Sequence, residues 1–218
     1  MSAARNDPQL AYKLYLWNAN LAQVLLRDIS FFEVALRNAQ DKCLRERWHG
    51  KYHWLLDPSS PVRVPILRKA KDGSVFDANA HNRRAIDSIA NGSRGSTDPN
   101  RIVSRLTLGF WTHLSDTNHE RVLWIPHLHT IWPAGTNRSD LYASLNSINM
   151  MRNRAAHAEK LFNLKGGTSI RACDKTVTRL IRTLTPTVAD RMTNDGQLTP
   201  VEHYIKTFKL DSRIEIDI

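Results

Sequence analysis

The chain predicts an all-α fold, and three observations carry that expectation. Apolar residues recur at helical spacing over long stretches that contain neither Gly nor Pro. Candidate helices open on recognisable caps, among them Asp98-Pro99 and Thr199-Pro200. No stretch reads as a strand–helix–strand unit, a Gly-rich phosphate loop or an internal repeat. With 218 residues, 41% of them apolar, and six Trp, the chain can enclose a real core, as one domain or as one domain with a small appendage.

Residues 8–47 read as one long helix, straight or bent near Asp28, because no Gly or Pro falls between Pro8 and Gly50 and Leu21, Leu25, Phe32 and Leu36 share a face. Glu33 and Arg37 lie one turn apart on it and can pair, with Asn38 beside them. Residues 48–65 read as loop; His49 and His53 have metal-ligand spacing but no evident third ligand. Residues 66–91 read as one or two helices broken near Asp72-Gly73. Arg63, Arg68, Lys69, Lys71, Arg83 and Arg84 make this the most basic region, either a solvated face or a surface for an RNA backbone. GSRGSTDP (92–99) reads as a flexible loop leading to a helix from Pro99 to Leu114, with Phe110 and Trp111 in the core. A short helix near 117–125 and a turn over PHLHTIWPAG follow. Gly166-Gly167 reads as a stop, and helices are expected over 169–184, 186–193 and 200–210. The tail DSRIEIDI reads as a short strand or as disordered.

Residues 139–163 are expected to form the helix that matters most, capped by Ser139 and Asp140. On a helical wheel, Arg152, Ala156, Asn149, Lys160, Asn153, Asn146 and His157 fall within an arc of about 140°. Ala158, Met151, Phe162, Ala155 and Ile148 fall within about 80° on the far side, the face expected in the core. The Asn residues on the polar face are poor helix formers and need another reason to be there. The net charge, 31 − 21 = +10, favours a polyanionic partner, nucleic acid before membrane, with a generally basic surface as the bland alternative. Cys43 and Cys173 give neither a disulfide framework nor a metal pattern and suit a reducing cytoplasm. No signal-like or membrane-spanning run is present.

Arg152-Asn153 followed a turn later by His157 resembles the catalytic motif of the HEPN ribonucleases: Arg, usually a polar residue next, then His. Arg47 with His53 and Arg121 with His127 have similar spacing, but Trp48 and Val122 replace the polar second residue. FFEVALRNA (31–39), LTLGFWTHL (106–114), RVLWIPHLHTIWP (121–133) and RNRAAHAEKLF (152–162), in that order, resemble the Abi-like (abortive infection) branch of these proteins. The resemblance covers roughly residues 12 to 165; it departs from the family at Ala158, where members often carry a second His. It implies a HEPN-like helical bundle over 8–165, with helices of 166–218 packed on the same domain. It also implies a site at Arg152, Asn153 and His157 supported by Glu33, Arg37 and Asn38, completed in a homodimer.

The chemistry agrees with the motif. RNA carries its own nucleophile, so cleavage needs proton transfer, which suits His, and charge stabilisation at phosphorus, which suits the fixed fork of Arg. No acidic cluster suited to Mg²⁺ is evident, and no carboxylate lies on the polar arc, so neither metal nor cofactor is expected. The reading is a metal-independent endoribonuclease of a toxin or anti-phage system, with Lys160, Arg68, Lys69, Arg83 and Arg84 as RNA contacts. A restraining noncoding RNA or antitoxin is the further partner to expect. The alternatives are a non-catalytic protein that grips a structured noncoding RNA, and a HEPN-type partner of a nucleotidyl transferase.

Overall fold

The computed structural model describes residues 2–4, 6–92, 95, 97–164, 169–193 and 198–218. It is an all-α assembly with a long first helix and a helical C-terminal segment: α1 (Pro8–Arg47), α2 (Ala80–Ala90), α3 (Pro99–Arg105), α4 (Leu108–His113), α5 (Arg138–Ala156), α6 (Ile170–Leu184), α7 (Pro186–Met192) and α8 (Pro200–Thr207). The chain divides into two compact units, residues 1–35 with 144–218, and residues 36–143.

In the first unit the 40-residue α1 supplies a stripe of Leu14, Trp17, Leu21, Leu25, Ile29 and Phe32, all buried. Ile148 and Met151 of α5, Val177 and Ile181 of α6, and Val201 of α8 are buried in the same unit. α8 carries the expected cap, Thr199 accepting from Glu202 N, and α6 is capped by Ser169, which accepts from Ala172 N. Two carboxylates are enclosed here. Asp28 sits on the α1 stripe at 1% exposure, and Asp174 of α6 is at 0%. One oxygen of each (Asp28 Oδ2 and Asp174 Oδ1) has no hydrogen-bond partner among the described residues. Asp174 Oδ2 accepts from Thr199 Oγ1.

The second unit is built on Trp54 and Trp111, both fully buried and edge-to-face at 6.1 Å. Phe110 and Trp111 are core residues, as expected. The Pro99 helix, capped by Asp98 as expected, does not run on to Leu114. It breaks at Leu106 and Thr107, both extended, and α4 starts anew. The freed Leu106 carbonyl accepts from Trp111 Nε1 at 3.3 Å, so burying the indole is compatible with the break.

Residues 66–77 correct the sequence reading outright: they form a hairpin, not a helix. Strand β1 (Leu67–Lys69) pairs antiparallel with β2 (Val75–Asp77), Arg68 opposite Phe76. Asp72 accepts from Ser74 N and Ser74 Oγ, and Gly73 takes φ 84°. That is an Asx turn closed by the one residue type at ease with positive φ. The expected helix at 117–125 is a 3₁₀ turn (Thr117–His119) running into a wide turn (Glu120–Trp124). The tail 211–218 is irregular, and α8 stops at Thr207 rather than near 210. The expected stop at Gly166-Gly167, and Ser93, Arg94 and Ser96 of the expected loop, lie outside the described residues.

Candidate functional site

The helix carrying the motif ends earlier than the wheel assumed. α5 closes at Ala156, and Ala158 adopts φ 55°. Glu159 N donates to Arg154 O at 2.9 Å, and Ala158 N to Ala155 O at 3.2 Å. This pair of bonds is a Schellman cap, with Ala in the left-handed position usually given to Gly. His157 is therefore the C-cap residue, still bonded through its N–H to Asn153 O at 2.9 Å. The polar arc holds for Asn146, Asn149, Arg152, Asn153 and His157, and the apolar arc for Ile148, Met151 and Ala155. It fails beyond the cap: Lys160 is off the helix, Ala158 is exposed, and Phe162, expected in the core, is only half-buried.

What overrides the helix is a polar residue on α1. Asn18, buried at 7%, accepts from Leu161 N at 2.8 Å and donates to Glu159 O at 3.1 Å. Both amide groups of one side chain thus hold the backbone that follows His157, and Leu161 rather than Phe162 is the buried anchor, at 0%. The sequence did carry a signal for Asn18: it is a polar residue amid the apolar stripe Leu14, Trp17, Leu21.

The result is a compact polar turn. Asn153 and His157 are exposed and Arg152 is half-buried. Arg152 Nη1 lies 3.4 Å from Asn153 Oδ1, a long bond that leaves most guanidinium donors for a ligand. Arg154 and Glu159 pair across the cap at 3.3 Å, a surface contact of little stabilising value.

Of the residues expected to support this site, Glu33 belongs to the first unit, and Arg37 and Asn38 to the second. Arg37 Nη1 donates to Ser104 O at 3.3 Å, which fastens α1 to α3. The basic residues Arg68, Lys69, Arg83 and Arg84 all lie in the second unit, the first two on β1 and the others on α2. Arg68, Lys69 and Arg84 are exposed. Arg83 pairs with Asp77 and donates to Arg63 O, so it braces the hairpin. Arg68 reaches the carbonyl of Asn118 at 3.2 Å.

A second titratable cluster surrounds Asp116. His119, fully buried, places Nδ1 2.7 Å from Asp116 Oδ1 and Nε2 2.8 Å from Asn79 Oδ1. Asn79 cannot be turned over, because its Nδ2 already donates to Pro61 O and Val64 O. His119 therefore ties its own turn to Asn79 through bonds that occupy both ring nitrogens, a structural role. His113 Nδ1 lies 3.0 Å from Asp116 Oδ2, and burial pushes this imidazole below its ordinary range despite the carboxylate's opposing pull. No group of three or more His, Cys, Asp or Glu among the described residues could hold a metal ion. No described helix is long and apolar enough to cross a membrane. No protein-family model, curated protein or solved structure matches the chain.

Proposed function

We propose that the chain is a metal-independent endoribonuclease of a toxin or anti-phage system, acting through Arg152, Asn153 and His157. The observation that carries this reading is the exposed last turn of α5. An arginine and an asparagine in contact stand one turn from a histidine whose backbone the cap fixes.

One imidazole takes the proton of the RNA 2′-hydroxyl as that oxygen bonds to phosphorus. A second imidazole gives a proton to the 5′-oxygen as the P–O5′ bond breaks. The products are a 2′,3′-cyclic phosphate and a 5′-hydroxyl, and Arg152 stabilises the charge on the phosphorane between them. One motif supplies one histidine, so the complete site takes two copies of the chain, each contributing Arg152 and His157.

The test is cleavage of a labelled RNA by purified wild type, Arg152→Ala and His157→Ala, with and without EDTA. Each variant should lose about 10²–10⁴-fold in rate while keeping its helical circular dichroism. Wild-type cleavage should survive EDTA and leave cyclic-phosphate ends. Variants that cleave at the wild-type rate, or 5′-phosphate ends made only with added Mg²⁺, would overturn the proposal. Tight RNA binding without cleavage would favour the noncoding-RNA-binding alternative.

A further inference from the structure

Directly after His157 the chain forms a half-open cavity of about 310 Å³ within the first unit. One wall is the chain start and the first turns of α1, including Ala11 and Tyr15; the other is the segment after the cap, including Ala158, Lys160, Phe162 and Asn163. Small residues, Ala11 and Ala158 among them, line both walls.

The walls are held in place. Asn18 fixes Glu159 and Leu161, as described above. Asn163 exchanges two bonds with Asp217, N to O at 2.8 Å and Oδ1 from Asp217 N at 2.6 Å. Glu215 N donates to Ala3 O at 3.3 Å. A cavity braced at three points needs little ordering to receive a ligand.

Its lining indicates which ligand. Tyr15, 62% exposed, and Phe162 offer aromatic rings. Lys160 is exposed and forms no ion pair among the described residues. The volume is at the lower end of the range for small-ligand sites, roughly 300–1,000 Å³, which suits one planar ring system. Aromatic rings with a cation at the rim are how single-stranded nucleic acids are gripped: the bases stack and the phosphates pair.

We propose that this cavity is a nucleobase subsite for the RNA strand. A base lies against Tyr15 and Phe162, and Lys160 pairs with an adjoining phosphate. The proposal rests on the reading of the Arg152–His157 turn as the cleavage site. Ala158 lines the cavity and follows His157 in the chain, so the cavity adjoins the turn that bears that histidine.

The experiment compares wild type with Tyr15→Ala, which removes an exposed ring, and Ala11→Phe, which fills the space. The probe is a short oligoribonucleotide made non-cleavable by 2′-deoxy substitution, alongside an abasic oligomer of equal length and charge. Both variants should weaken binding of the base-bearing probe about tenfold and raise KM for the cleavable version comparably, with kcat less changed. Their affinity for the abasic oligomer should stay at the wild-type value. Wild-type affinity for the base-bearing probe in both variants would overturn the subsite even if the protein cleaves RNA. So would abasic and base-bearing oligomers that bind wild type equally well. A wild type that cleaves nothing, yet needs Tyr15 and an unfilled cavity to bind bases, would overturn the nuclease reading and support the subsite.

Discussion

Asp174 shows how much one buried carboxylate can impose. Burial pushes its pKa up to about 6; the neighbouring charges of Asp28 and Glu202 add to this, against the Thr199 hydrogen bond and Lys175. Asp28, enclosed on α1, is raised as well, by burial that outweighs the Arg27 guanidinium. An acid with a raised folded pKa holds its proton more tightly when folded. Its favourable contribution is complete below the unfolded value near 3.8 and disappears as pH rises through about 6. Asp174→Asn keeps an acceptor for Thr199 but no ionisable group. It should be more stable than wild type above about pH 6, by something on the order of 1–3 kcal/mol, with little difference near pH 4. Urea unfolding at the two pH values measures this, and a variant less stable than wild type at about pH 7.5 contradicts it. Ala158 poses a smaller question. At φ 55° its Cβ is strained, so Ala158→Gly should stabilise the α5 cap by about 1 kcal/mol, again by urea unfolding.

At the level of elements, the legible parts were those whose signals are local. The absence of Gly and Pro between Pro8 and Gly50 gave α1 its extent, and Asp98-Pro99 and Thr199-Pro200 marked true starts. The hairpin was also written locally, as Asp72-Gly73 between residues suited to strands, but the basic residues around it read as a helix surface. The end of α5 was not local at all. Its cap residue is Ala, not Gly, and the chain turns away to bury Leu161 and meet Asn18, a partner 143 positions away in sequence. Two substitutions separate the expected helix from the observed one. Ile148→Ala, on the buried face of α5, should cost about 2–5 kcal/mol. Phe162→Ala should cost clearly less, since the half-buried ring leaves no closed core cavity; thermal melts that reverse this order would restore the longer helix. Asn18→Ala leaves the N–H of Leu161 buried without its acceptor, a loss of about 1–3 kcal/mol. If the clamp also positions His157, RNA cleavage by this variant should fall well below wild type while it remains folded; an unchanged rate would separate clamp from site.

For the whole molecule, a charge of +10 makes any RNA affinity strongly salt-dependent, with log K falling linearly against log salt. If the site is shared by two copies, RNA should also tighten the dimer, because a polyanion relieves repulsion between two sets of Arg152 and Lys160. Binding of a non-cleavable oligonucleotide over a salt series checks the first, and sedimentation with and without it checks the second. A monomer that cleaves at full rate with RNA bound would remove the need for a second copy. The division of the chain has a consequence for synthesis. The second unit is one continuous segment, 36–143, whereas the first is assembled from both ends of the chain, with 144–218 supplying α6, α7 and α8. On the ribosome the second unit can close while the first still lacks most of its partners. The turn bearing Arg152 and His157 acquires its surrounding core only once α6, α7 and α8 have been made.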